Sequence, residues 1–321
     1  MEIITLTCKV ISPMFIGNAN GKNAELRPST FEGSLRFWWR AIHPDLSEYE
    51  LRKQETEFFG GSYMDRDDYN KTVNKPPSYR FLEITGGEIT SDKIDLDPRD
   101  GKNRGKAKAI MPNSVFTIKL QIINNNNNKE KVLALFKLAS ALGGLGKRSR
   151  RGAGAWKIEK INGENNIVYN KENIDKWITT INSNYPTNNQ TQNFPYLKKY
   201  TIGSTTYTNQ RELRIRIMVT ASQIKDNYKK VKKENGRCKN NRGRLVYYHP
   251  VFNKNLGSAS KRLSSPVYVS ILAKENNEIV PIISFLGSNE HKIKDEFSNS
   301  ILNNVLCIAK REYKDDCPNL K

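Results

Sequence analysis

Ala141-Leu-Gly-Gly-Leu-Gly-Lys-Arg-Ser-Arg-Arg-Gly-Ala-Gly-Ala-Trp156 is the stretch from which the fold can be read. Five glycines enclose four cations, Lys147, Arg148, Arg150 and Arg151. Glycine accepts positive φ and lets backbone approach a ligand closely. Peptide N–H groups beside arginine forks suit phosphate oxygens. The flanks say which kind of phosphate. Lys129 to Leu142 places Val132, Leu133, Leu135, Phe136, Leu138 and Leu142 on a helical stripe. Ala155 to Ile161 sets Trp156 and Ile158 against Lys157 and Glu159, the alternation of a strand. The order is helix, glycine loop, strand. A dinucleotide fingerprint or a P-loop needs the reverse, with the phosphate at the N-terminus of the following helix. The loop therefore points to a polyanion; the competing reading is an exposed basic turn without a ligand.

Working outward, Ile4, Leu6, Cys8 and Val10 alternate with Thr5, Thr7 and Lys9, a strand with one buried face that ends at Ser12-Pro13 and Gly17-Asn18. Thr30 is the expected cap of a helix whose stripe is Leu35, Trp38, Trp39 and Ile42, with Arg36 and Arg40 sharing another face. The tryptophan pair reads as core, or else as a stacking platform for a base. His43 reads as a helix-end residue. A second helix over 48–59 stops at Gly60-Gly61, and Met64 to Ser78 reads as a polar loop. Tyr79 to Thr90 and Ser114 to Ile123 are strands, separated by a charged loop from Asp97 to Ala109; Asn124 to Asn128 is a polar tip. The first half is thus β-α-β-β-α-β, the split-βαβ or ferredoxin-like arrangement found in many RNA-binding modules. No aromatic signature marks its sheet face, so the glycine loop is the expected contact.

Beyond a polar connection at 182–193, Arg211 to Thr220 alternates as a strand, with Leu213, Ile215, Ile217 and Val219 on one face and Arg214, Arg216 and Met218 on the other. Lys225 to Arg244 carries nine cations and reads as a flexible basic insertion or a nucleic-acid clamp. Strands over 245–252, 266–273 and 279–286 and an amphipathic helix over 292–313 complete a second α+β unit. The fold class is α+β with domains at 1–162 and 163–321. The 321 residues hold 53 Lys and Arg against 33 Asp and Glu, a net charge of +20, which favours a large polyanion over a small acidic metabolite. No lipidation signal, basic amphipathic helix, long apolar run or signal peptide appears, so no membrane role and a cytoplasmic location are expected. Cysteines 8, 238, 307 and 317 and histidines 43, 249 and 291 are too scattered for zinc spacing, so neither metal nor cofactor is expected.

Several motifs together resemble one family. They are Ser12-Pro13-x-Phe15-x-Gly17; Leu26-Arg27-Pro28-Ser29-x-x-x-Gly33-Ser34-Leu35-Arg36-Phe37-Trp38-Trp39-Arg40; Glu57-x-Phe59-Gly60; the loop from Gly143 to Gly154; and Lys261-Arg262-Leu263-Ser264-Ser265-Pro266. The set is similar to the RAMP superfamily, and within it to the subunit-one branch of the Cmr complex, the type III-B CRISPR effector. The resemblance implies a tandem of two ferredoxin-like (RRM-like) domains and a non-catalytic subunit that holds the 3′ region of the guide RNA. Its partners would be guide CRISPR RNA, target RNA and other RAMP subunits of the Cmr complex. It assigns RNA contact to Gly143, Gly144, Gly146, Lys147, Arg148, Arg150, Arg151, Gly152 and Gly154, then to Arg36 and Arg40, then to Lys261 and Arg262. Arg36 and Arg40 have a structural alternative, the binding of neighbouring carboxylates. The alternative function is a metal-independent endoribonuclease of the same superfamily that processes guide RNA precursors, with His43 as its general base.

Overall fold

The computed structural model describes residues 2–18, 20, 23–68, 71–99, 105–123, 126–185, 195–218, 267–274 and 278–287. Strand β1 (Glu2–Val10) buries every second side chain, Ile4, Leu6, Cys8 and Val10, as its alternation requires. It is central in an antiparallel sheet of order β4-β7-β1-β8, with β4 at Tyr79–Gly86, β7 at Val115–Ile122 and β8 at Trp156–Ile161. Helices α1 (Pro28–Ala41) and α3 (Asn126–Leu142) are the crossovers and cover one face, where Phe31, Leu35, Trp38, Phe136 and Leu138 meet the inward strand residues. Each such fully buried side chain contributes about 1.5–3 kcal/mol.

Local chemistry explains where these elements begin. Helix α1 starts at Pro28 rather than after Thr30, and Arg27 at its N-cap makes no side-chain cap bond. Proline has its φ already set for the first helical position and lacks only an N–H that would go unpaired there. Helix α2 (Glu48–Phe59) is capped by Ser47 and ends on Gly60 at φ +77°. Each of the two stretches expected to be loops supplies a strand to a hairpin: β3 (Thr72–Lys75) pairs with β2 (Gly61–Met64), and β6 (Lys106–Ile110) with β5 (Ser91–Asp95). Helix α3 begins inside the asparagine run.

Downstream, α4 (Lys171–Ile181) packs against α3, with Ile174, Trp177, Ile178 and Ile181 buried. The stretch expected to be a strand from Arg211 is instead helix α5, residues 210–218. Leu213 and Ile217, four apart, satisfy a helical stripe as well as an alternation, and both are fully buried. Strands β9 (Tyr196–Ile202), β10 (Val267–Ala273) and β11 (Ile279–Gly287) form a second antiparallel sheet of order β10-β11-β9. Helix α3 touches both β8 and β10, and one apolar cluster runs from Ile4 and Trp38 to Leu272 and Ile282. The chain turns at Asn162 and Gly163, both at positive φ, where the first unit was expected to end. The basic stretch 225–244, the strand expected at 245–252, Lys261, Arg262 and the helix expected at 292–313 lie outside the described residues.

Candidate nucleic-acid interface

The glycine loop joins the two sheets. On one side it is held by the segment after β1. The Gly154 N–H donates to Pro13 O (2.9 Å), Lys147 N–H to Phe15 O (3.0 Å) and Ala155 N–H to Ser12 Oγ (2.9 Å). This accounts for the Ser12-Pro13-x-Phe15 motif as a clamp on the loop. On the other side it is stitched to β10. The Gly152 N–H donates to Val269 O (2.8 Å), Val269 N–H to Arg150 O (3.2 Å), and the Tyr268 and Ser270 hydroxyls donate to Gly144 O and Gly143 O.

The loop's residues separate into two groups. Gly143, Gly144, Gly152 and Gly154 are buried. Gly154 sits at φ +70°, and a Cβ there would overlap Leu145 O, whose own N–H donates to Gly154 O. These four shape the loop and face protein. Gly146 and Lys147 are exposed, and Arg148 and Arg151 are half-buried. Lys147 and Arg148 make no ion pair among the described residues, and the Gly146 and Arg148 N–H groups donate to nothing there. Arg148 takes φ +64°, a left-handed conformation that costs a side-chain-bearing residue about 1–2 kcal/mol. Strain of this kind at an exposed cationic turn is a mark of function.

Arg150 differs from its neighbours. Its guanidinium carbon lies 5.3 Å from the Phe37 ring centre and 5.7 Å from that of Tyr268, and burial pushes its pKa down. It packs α1 to β10 while remaining half-buried.

Arg36 and Arg40 are neutralised. Glu55 on α2, itself buried, accepts from Arg36 Nη1 (3.0 Å), Arg40 Nε (2.8 Å) and Arg40 Nη2 (2.6 Å); Glu32 accepts from Arg36 Nη2 (2.9 Å). Arg36 also lies 4.5 Å over the Phe59 ring. Burial alone would lower its pKa, but the bonds to Glu32 and Glu55 outweigh it and the pKa is raised. The structural alternative for this pair is the one the geometry carries.

His43 is 5 % exposed, stacks on Trp39 at 4.1 Å and donates its Nδ1–H to Trp39 O (2.6 Å), which fixes the tautomer. It lines a recess of about 440 Å³ with Glu50, Lys53, Glu57 and Lys131. Burial pushes its pKa down. Among the described residues no group of His, Cys, Asp and Glu converges to hold a metal, and no helix is long and apolar enough to cross a membrane.

The arrangement of sheet, helices and clamped loop can be set beside known proteins. Residues 7–159 match the RAMP superfamily. The RAMP resemblance read from the sequence is thereby borne out over the first sheet and its loop. The fold is similar to the crystal structure of Cmr1 from Pyrococcus furiosus, with TM-score 0.56 and 17 % identity over 90 % of this chain and 89 % of that one. It is also similar to a chain of the type III-B Cmr-beta complex bound to cognate target RNA and AMPPnP, with TM-score 0.62 and 13 % identity over 95 % and 99 %. No curated protein sequence matches. At such identities the likeness is one of fold: mixed α and β with antiparallel sheets.

Sequence reasoning passed over two parts of this region. The carboxylates of Glu32 and Glu55 were not matched to Arg36 and Arg40, although Glu32 is four residues before Arg36 on the same helix. The second is α5, where reading a strand placed Arg214 with the outward residues. A helical reading places it beside Leu213 and Ile217, where it is buried.

Proposed function

We propose that this chain is a non-catalytic RNA-binding subunit of a type III-B CRISPR effector, holding the 3′ region of the guide RNA and supporting target capture. The RAMP match and the Cmr-type fold support the class of assembly. The RNA role rests on one observation above all: a loop pinned by both sheets presents Lys147 and Arg148 with no acid at ion-pair distance among the described residues. A net charge of +20 supplies the surrounding field. Contact with phosphates is independent of sequence and weakens steeply with salt. The architecture fits two ferredoxin-like units. The first sheet has the β4-β7-β1-β8 order of a split βαβ, and β10-β11-β9 repeats the order of its first three strands.

Lys147→Ala with Arg148→Ala should weaken binding to unrelated single-stranded RNAs by roughly tenfold at moderate salt and flatten the salt slope by about 0.7 for each phosphate lost. Unchanged affinity and slope would remove the loop from the interface.

A further inference from the structure

Arg214 on α5 is buried at 3 % exposure, yet among the described residues its guanidinium makes no hydrogen bond and no ion pair. Its Nε is fully enclosed without an acceptor. The Phe15 ring centre lies 5.6 Å from its guanidinium carbon. Its Cγ occupies space that Gly152 leaves open, 3.5 Å from where a Cβ would stand. Asp97 attracts it from outside ion-pair distance, and Arg211 repels it. Asp97 is bound by the Arg99 guanidinium, at 2.9 and 2.7 Å.

Arg214 is thus a cation in an apolar setting with no acid at ion-pair distance among the described residues. An unpaired buried charge costs several kcal/mol. The cation–π contact with Phe15 offsets part of that cost. Burial accordingly pushes the Arg214 pKa down to about 10. The deficit lies beside the glycine loop: Phe15, which Arg214 underlies, is the residue whose carbonyl seats the Lys147 N–H, and Gly152 directly follows Arg151.

We infer that Arg214 is an anion-binding residue that takes a phosphodiester group of RNA lying across the glycine loop. A guanidinium offers two parallel donors to the two free oxygens of such a group. The RNA part of this inference rests on the function proposed above; the anion site does not.

Arg214→Met tests it, because a methionine fills similar volume without charge. Thermal unfolding would be followed with and without inorganic pyrophosphate, and binding of a uridine-only RNA over a salt series. The variant should melt at a higher temperature than wild type in plain buffer, since a buried unpaired charge is gone. It should lose the pyrophosphate-induced rise seen in wild type. Its RNA affinity should fall about tenfold, with a shallower salt slope. A lower melting temperature with RNA affinity intact would make Arg214 structural and overturn the site. A lost pyrophosphate response with intact RNA affinity would overturn the RNA assignment and leave a site for a free anion or an acidic protein partner. If Arg214→Met weakens RNA binding while the Lys147 and Arg148 double variant does not, this site stands and the loop reading falls.

Discussion

Arg36 and Arg40 on α1 and Lys147 and Arg148 on the glycine loop are cation pairs of the same kind in sequence and opposite in setting. The first pair converges on one buried carboxylate, Glu55, through three hydrogen bonds of 2.6 to 3.0 Å. The second pair has no acid within reach among the described residues and stands on backbone that other segments hold in place. The difference teaches that the count of cations in a motif says little about binding. What matters is whether the fold has already spent them. A neutralised pair ties α1 to α2; an unneutralised pair leaves its field to a ligand.

The contrast breaks most severely if the loop's backbone is disturbed. Gly154→Ala forces a Cβ into Leu145 O at φ +70° and should cost about 3 kcal/mol, the sum of positive-φ strain and overpacking. Urea unfolding would measure it. RNA binding should fail along with the fold's stability, whereas the Lys147 and Arg148 double variant should lose binding at wild-type stability. A Gly154→Ala protein with unaltered stability would mean that the loop is not pinned as described.

Removing the carboxylate is the next largest effect. Breaking a fully buried pair costs roughly 3–5 kcal/mol. Arg40 keeps 44 % of its side chain in solvent, so Glu55→Ala should cost less, about 2 kcal/mol by denaturant unfolding. The same variant sharpens the comparison, because it frees Arg36 and Arg40. RNA affinity in Glu55→Ala should hold or rise, and a fall in affinity at intact stability would show that the pair already contacts RNA in its clamped form.

How far the sequence revealed this division depends on where each partner lies in the chain. Elements with one buried face were legible: β1, β7, β8, α1 and α3 have periodic apolar residues, and all formed where expected within a few positions. Helix α4 carries an equally regular stripe, Ile174, Trp177, Ile178 and Ile181, behind an Asn170 cap, and was overlooked beside the asparagine-rich connection that follows. Helix α5 was misread because Leu213, Ile215 and Ile217 fit a period of two as well as a turn of helix. Strands β2, β3 and β5 show too little buried surface to imprint any pattern. Within the loop, glycine and arginine were visible but their division was not. Which glycines face inward is decided by β10, whose Ser270 stands 127 residues after Gly143. Local pattern does not carry contacts of that range.

The smallest effect concerns the far end of α1, where His43 stacks on Trp39 behind the clamped arginines. Burial, its largest influence, pushes its pKa below the ordinary value; Lys131 acts the same way, and the bond to Trp39 O and the charge of Asp45 oppose them. The folded chain therefore holds His43 neutral at a pH where the unfolded chain has begun to protonate it. The stability this confers is fully present above the unfolded pKa of about 6.5 and is lost as pH falls through the folded value. Unfolding free energy should drop below neutral pH with a slope from this residue of at most about 1.4 kcal/mol per pH unit. The difference between wild type and His43→Gln isolates that slope from the other histidines. A variant with the same pH profile would mean that His43 titrates as freely folded as unfolded, and would return it to the surface. If the wild-type protein cuts RNA without metal and His43→Gln does not, the cation pair beside it becomes part of a nuclease, and the division between spent and unspent cations would have to be redrawn around catalysis.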